Sequence, residues 1–272
     1  MKLTARIVEK PWGRTDVPIA FGDVAGRQVG EIWFETPANH PASLMIKFLF
    51  TSERLSIQVH PDDAQATTAG FARGKDECWL ILDADADAEL AIGLKEPCSK
   101  GQLQAAAASG AIVEMVDWRS AHAGQFIYNR AGTIHALGAG LTVVEVQQNV
   151  DCTYRLYDYG RLDSGQPRTL HLDQGLAVAR REPHHDDRDC VVPNDGQTRL
   201  VDGPYFSVVR AHGPIEPGSL ADAREIHVVP LGDGCRVEDE DILLGQCALT
   251  KYGDAIRLKH NAQALLCWGV SA

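Results

Sequence analysis

Three short stretches carry side chains whose types and spacing suit chemistry: "LSIQVHPDD" (55–63), "GKDECW" (74–79) and "AGTIHALGAG" (131–140). The first sets Gln58 two residues before His60, the second Lys75 two before Glu77, and the third isolates His135 among small residues. One amide, two imidazoles and one carboxylate offer only nitrogen and oxygen donors. Such a set suits Zn²⁺ in a catalytic role, with water or a substrate oxygen completing the sphere, and Fe²⁺, Mn²⁺ or Co²⁺ fit as well. The seven cysteines lie off this pattern, which argues against a closed structural zinc site.

Donors scattered over eighty residues need a scaffold to converge, and the apolar pattern points to strands. In "LSIQVH" Leu55, Ile57 and Val59 alternate with Ser56, Gln58 and His60, so the polar three share one face of a half-buried strand. The same alternation puts Lys75, Glu77 and Trp79 on one face and Cys78 and Leu80 on the other. Short runs such as "EIWFET", "MIKFLF", "ELAIGL", "GQFIYN" and "LTVVEVQQ", separated by Gly, Pro and Asp, predict an all-β sandwich or barrel. Two helices are expected, over 100–110 and 170–181. The polar stretch 181–195 reads as a linker, and His184 and His185 within it as linker residues rather than ligands. Strand patterns resume after it as a smaller β domain from about Thr198.

Composition narrows the partners. A net charge of −11 without a long Lys/Arg run excludes a nucleic-acid or anionic-membrane surface, so an anionic ligand must be held by a few local cations. No apolar run is long enough to span a membrane, and "MKLTARIVEKPWG" lacks the apolar core of a signal peptide, so a cytoplasmic location is expected. Seven cysteines without paired spacing are expected to be free thiols.

Together, "LSIQVHPDD", "GKDECW", "AGTIHALGAG" and "VEVQQNVDCTYRLYDYGR" (144–161) resemble the class I, zinc-dependent mannose-6-phosphate isomerases in their short bacterial form, from "KPWG" (10–13) to about Arg161. The resemblance implies tandem cupin barrels with a few short helices: a catalytic domain over 1–165, a helix and polar linker over 166–197, and a smaller cupin-like domain over 198–272. It implies one Zn²⁺ per chain on Gln58, His60, Glu77 and His135, and Arg155 of "TYR" as an active-site residue. It also places Lys47, the one cation within "LMIKFLF", in the substrate pocket, and likens the stretch around Glu31 and Trp33 to one lining that pocket. Two features depart from the pattern: Arg130 replaces the usual proline before "AGT-H", and the chain leaves little room for an inserted helical domain.

The activity so implied interconverts mannose 6-phosphate and fructose 6-phosphate through an enediolate. The reaction needs stabilisation of oxyanion charge and a base for the carbon-bound proton. Lys75, Glu145 and a metal-bound hydroxide are the three candidates for the base. A cupin Fe(II) dioxygenase and a sugar-binding sensor without turnover are the alternatives; the isomerase motifs count against the first and Arg155 against the second.

Overall fold

The computed structural model describes residues 1–270 apart from 25, 164, 217, 221 and 222. The protein is all-β with short helices, the tandem cupin-type architecture expected. A seven-stranded antiparallel sheet runs in the order Thr4–Arg14, Val29–Glu35, Leu44–Phe50, Leu141–Gln148, Glu77–Ala84, Gln125–Asn129 and Cys190–Val191. Against it lies a five-stranded sheet of Tyr154–Tyr157, Ile57–Val59, His135–Leu137, Glu89–Leu94 and Val116–Ser120. The C-terminal part forms a second five-stranded sheet, led by Gln197–Asp202 and Phe206–His212, and a three-stranded sheet around Cys235–Val237.

Both faces of the seven-stranded sheet are covered, which is why its central strands read as nearly unbroken apolar runs. Ile46, Phe48, Phe50, Val144 and Val146 turn outward against Phe206, Val208, Leu265 and Cys267 of the C-terminal part. The inward residues of the same strands meet the five-stranded sheet, where Leu49, Trp79, Ile81 and Val143 pack on Leu90, Ile92 and Leu137. Along Leu141–Gln148 the inward positions change character. Leu141 and Val143 close an apolar end, whereas Glu145 and Gln147 begin a polar one. Register then assembles the polar end, because Glu145 lies opposite Lys47 on one side and Trp79 on the other, and Gln147 lies opposite Glu77.

Among the described residues there are four α-helices, α1 (Asp63–Thr68), α2 (Lys100–Ser109), α3 (Ile112–Met115) and α4 (Leu172–Val178), of which α2, α3 and α4 pack on the five-stranded sheet. Helices α2 and α4 fall inside the two predicted segments; α1 and α3 are additions. Helix α1 carries a readable signal that the strand pattern of "LSIQVHPDD" hides. Asp62 accepts from Gln65 N while the Gln65 side chain accepts from Asp62 N, a reciprocal cap.

The polar 181–195 stretch is not a free connector. Pro183 bridges to Gly93, Cys190–Val191 joins the seven-stranded sheet beside Gln125–Asn129, and Asp189 accepts from Tyr128 N at 2.9 Å. Arg188 stacks 3.3 Å from the Tyr128 ring centroid and pairs with Asp186, and buried His184 meets Asp189 at 2.9 Å. These turn residues satisfy one another and the barrel edge, forming a strap, and His184 is occupied by its aspartate. All seven cysteines are unpaired in this structure. No helix among the described residues is long and apolar enough to cross a membrane.

Candidate metal centre and cleft

His60, Glu77 and His135 converge from three strands or strand ends, fully buried, with one donor atom from each lying within 4.8 Å of the others. His60 Nδ1 lies 2.9 Å from Cys152 O, and His135 Nδ1 lies 2.9 Å from Thr133 O. A carbonyl only accepts, so each Nδ1 carries the hydrogen and each Nε2 presents a lone pair inward, that of His60 accepting from Lys75 Nζ at 3.1 Å. Burial pushes the His60 imidazole down to about 4 and lowers that of His135, so both are neutral at ordinary pH.

Burial alone would raise the Glu77 carboxyl; the Lys75 ammonium beside it instead holds it well below the ordinary range. Lys75 Nζ sits 2.8 Å from Glu77 Oε2 without hydrogen-bond alignment, leaving that oxygen with no hydrogen-bond partner. Asn129 Nδ2 donates to Glu77 Oε1 at 2.7 Å, and the two imidazole Nε2 atoms lie 3.5 and 3.6 Å from the carboxylate. Two neutral imidazoles and an anionic carboxylate with an orphaned oxygen fit a divalent cation such as zinc. Gln58 closes the fourth side, opposite His135 in the sheet register. Its Nε2 is 3.3 Å from His135 Nε2, and its Oε1 accepts from Ser56 at 3.0 Å. Rotation of the terminal amide would exchange the two and aim the oxygen at the cluster.

The loop carrying His135 is firm without the proline expected before it. Gly132, at φ 86°, makes the tight turn; its N–H donates to His60 O at 2.8 Å and its carbonyl accepts from Arg180 N at 2.7 Å. Thr133 N closes back on Arg130 O, and the Arg130 side chain pairs with Asp186 of the strap at 3.1 Å. Arg130 thus ties the ligand loop to the 181–195 segment.

The cleft beside this cluster is lined by Glu31, Trp33, Lys47, Lys75, Glu145 and Arg155, the other site residues expected from the sequence. Lys47 is buried but not alone: Nζ lies 3.1 Å from Glu145 Oε1, donates to Gln147 Oε1 at 2.6 Å and sits 4.7 Å from the Trp33 ring centroid. Glu145 also accepts from Trp79 Nε1 at 3.2 Å. Glu31 accepts a hydrogen bond from Trp33 Nε1, and Lys47 and Lys10 hold its carboxyl below the ordinary range against the opposing effect of burial. Burial would lower the Lys75 ammonium, but Glu77 and Glu145 override it and keep it above its ordinary value, so Lys75 is a cation here. Arg155 borders the same cleft, with its Nε buried and unpartnered. Among the described residues Arg155 makes no ion pair with Asp151 or Asp158, and Asp158 pairs instead with Arg161 at 3.0 Å and Arg168 at 3.4 Å.

Sequence reasoning did not select Lys10, Trp12, Asn129, Asp151 or Arg168. Lys10 and Trp12 stand in the "KPWG" run that opens the resemblance, a readable signal. Asn129 reaches Glu77 only through the pairing of Glu77 with Asn129 across neighbouring strands. Arg168 enters the wall from beyond the last motif.

No family model matches the chain. A Bacillus subtilis protein assigned as a mannose-6-phosphate isomerase is 34% identical over 247 residues, covering 76% of this chain and 78% of that one. Two other mannose-6-phosphate isomerase relatives, from Bacillus subtilis and Streptococcus mutans, are longer, and the chain spans 63% and 54% of their lengths. The crystal structure of the Bacillus subtilis mannose 6-phosphate isomerase superposes with a TM-score of 0.81 at 28% identity, covering 98% of both chains. A zinc-bound mannose 6-phosphate isomerase shares the fold with a TM-score of 0.72 at 13% identity over 99% of both chains.

Proposed function

The chain belongs to the mannose-6-phosphate isomerase family, and on that premise we propose that it interconverts mannose 6-phosphate and fructose 6-phosphate, with one zinc ion held by Gln58, His60, Glu77 and His135. The observation that carries the reading is the pair of imidazoles locked with both Nε2 lone pairs facing a buried carboxylate, at the polar end of a cleft walled by Lys47, Glu145 and Arg155. When bound, zinc supplies stabilisation of the negative charge that develops on the sugar oxygens.

The protein's own groups then have distinct tasks. Arg155, a permanent cation that makes no ion pair among the described residues, stabilises the enediolate oxygen. Lys75, protonated beside Glu77, donates toward a sugar oxygen and is not the base in this arrangement. Glu145, steadied by Lys47 and Trp79, accepts the carbon-bound proton from C2 and returns it to C1. Lys47 and Glu31 orient the sugar hydroxyls, and Trp12, Trp33 and Trp79 keep bulk water from this side of the cleft. We assign the chemistry to a catalytic domain over 1–165, a connecting helix and strap over 166–197, and a non-catalytic domain over 198–272.

The test is turnover of mannose 6-phosphate followed by NMR in D₂O, with metal content measured on the same sample. Deuterium should appear at C1 of fructose 6-phosphate or C2 of mannose 6-phosphate, and chelation should abolish turnover. Sugar binding with neither turnover nor exchange would refute the isomerase reading.

A further inference from the structure

The turn that presents His135 lacks the usual proline at its first position, where Arg130 stands instead. Thr133 N donates to Arg130 O at 3.0 Å across Ala131 and Gly132, and Thr133 O accepts from His135 Nδ1 at 2.9 Å. The orientation of the imidazole therefore follows the setting of this turn. A proline would fix φ at about −65° where the turn begins, whereas an arginine leaves that angle free. On its strap side the turn is not backed by apolar packing: Arg130, Thr133, Arg180, His184 and Asp186 line a cavity of about 350 Å³. Beside this cavity the Arg130 guanidinium pairs with Asp186 Oδ2 at 3.1 Å.

Surface ion pairs contribute little when both side chains must be immobilised to form them. Here one end is fixed in advance. The Asp186 side chain is 3% exposed, against 46% for Arg130. Its two carboxylate oxygens accept from Arg188 Nε and Nη2, each at 2.6 Å, and Oδ1 accepts from Arg188 N at 3.1 Å as well. Arg188 is held in turn by stacking on Tyr128, in the strand paired with the one that carries Glu77. Burial would raise the Asp186 carboxyl, but Arg188 and Arg130 hold it below its ordinary value, so the anchor stays charged. We propose that Asp186 is a positioning residue for the metal centre: through Arg130 it sets the turn that carries His135, supplying by an ion pair the restraint that a proline ring would supply covalently. This places a determinant of metal affinity in the 181–195 strap, outside every motif that carries the resemblance. The proposal rests on the reading of His135 as a metal ligand; the clamp on the turn rests on the geometry of Arg130 and Asp186 alone.

The experiment is a double-mutant cycle on the full chain. It compares the parent with Arg130→Ala, Arg130→Pro, Asp186→Asn and the two variants that combine Asp186→Asn with each change at 130. Zinc affinity is measured by competition with a chelating dye, and hydrogen exchange at the Gly132 and Thr133 amides is followed in metal-free protein beside a melting curve. Arg130→Ala should weaken zinc by about 3- to 10-fold, less than the loss of a group that touches a ligand directly, and should quicken exchange at both amides with little change in melting temperature. Arg130→Pro should restore both the affinity and the slow exchange without any charge, which a merely stabilising ion pair would not allow. Asp186→Asn should weaken zinc in the parent, and Arg130→Ala should add little to that loss. In the Arg130→Pro background Asp186→Asn should cost much less. The disturbance of Arg188 by Asp186→Asn is common to all backgrounds and cancels in the cycle. Unchanged zinc affinity and exchange in Arg130→Ala, full additivity of Arg130→Ala with Asp186→Asn, or failure of Arg130→Pro to restore the affinity would each overturn the proposal while leaving the isomerase reading intact. If the parent binds no zinc yet exchange at the two amides quickens in Arg130→Ala, the metal reading falls and the clamp on the turn stands.

Discussion

Replacing Arg155 by alanine separates chemistry from architecture at one side chain. Its Nε is buried without a partner, its guanidinium makes no ion pair among the described residues, and Asp158, the neighbour that would have claimed it, is served by Arg161 and Arg168. An unsatisfied buried polar atom costs roughly 1–3 kcal/mol, which truncation relieves and which offsets the lost packing of the side-chain stem. Stability should therefore stay within about 1 kcal/mol of the parent, a shift of only a few degrees in a chain of this size. Catalysis should respond differently. If the fork stabilises charge that develops only in the transition state, removing it costs about 10²- to 10³-fold in kcat, or about 2.7–4 kcal/mol, with a smaller change in KM. Arg155→Lys should recover little, since an ammonium cannot reproduce two fixed donors. The assay is steady-state turnover of mannose 6-phosphate beside zinc content and a melting curve on the same preparation. A kcat within tenfold of the parent, or loss of zinc or of the fold in the variant, would show the reasoning to be wrong.

Three further outcomes follow from the geometry. His60→Ala or His135→Ala should abolish turnover and zinc retention while far-UV circular dichroism stays native, because the barrel packing and not the ion supplies the core; a full complement of zinc in either variant would remove that residue from the ligand set. Asn129→Ala, which deletes the 2.7 Å donor to Glu77 Oε1, should weaken zinc affinity by about 10- to 100-fold, as measured by competition with a chelating dye, and an unchanged affinity would show that the carboxylate needs no such support. In the C-terminal part, burial lowers His227 from 6.5 to about 4, so below pH 6.5 the unfolded chain binds a proton that the folded one refuses. The stability this group contributes is present above about pH 6.5 and is lost as pH falls toward 4, by up to about 3 kcal/mol, and His227→Gln should flatten the acid limb of denaturant-measured stability. Equal limbs in the two proteins would dismiss the effect.

The parts of the site that sequence revealed are those set by local alternation. Period-two patterning alone puts Gln58 and His60 on one face, and Glu77 with Trp79 on another, and the strands occur where those patterns lie. Lys47 was visible as an anomaly, a cation in an apolar run; that its partners are Glu145 and Gln147, about a hundred residues away, depends on strand register, which no local pattern encodes. Asn129 was hidden for the same reason. The 181–195 segment misled because composition reports polarity and not partnership: its aspartates and arginines satisfy one another and Tyr128 instead of water. Arg168 lay beyond the last recognisable motif, and only closure of the wall brings it beside Arg155.

The double coverage of the seven-stranded sheet bears on how the protein can be cut. Phe48, Phe50, Val144 and Val146 form a broad outward face that packs on Phe21 and on the sheet containing Phe206, Val208, Leu265 and Cys267. A fragment ending before Gln197 would retain every proposed ligand yet expose a continuous apolar β surface, the kind that templates self-association. The region without proposed chemistry would then act as a built-in chaperone for the region with it. Attempts to express a minimal barrel should yield aggregates unless those outward positions are made polar, and mutations that loosen the C-terminal sheet should reduce soluble yield before they touch turnover per folded molecule.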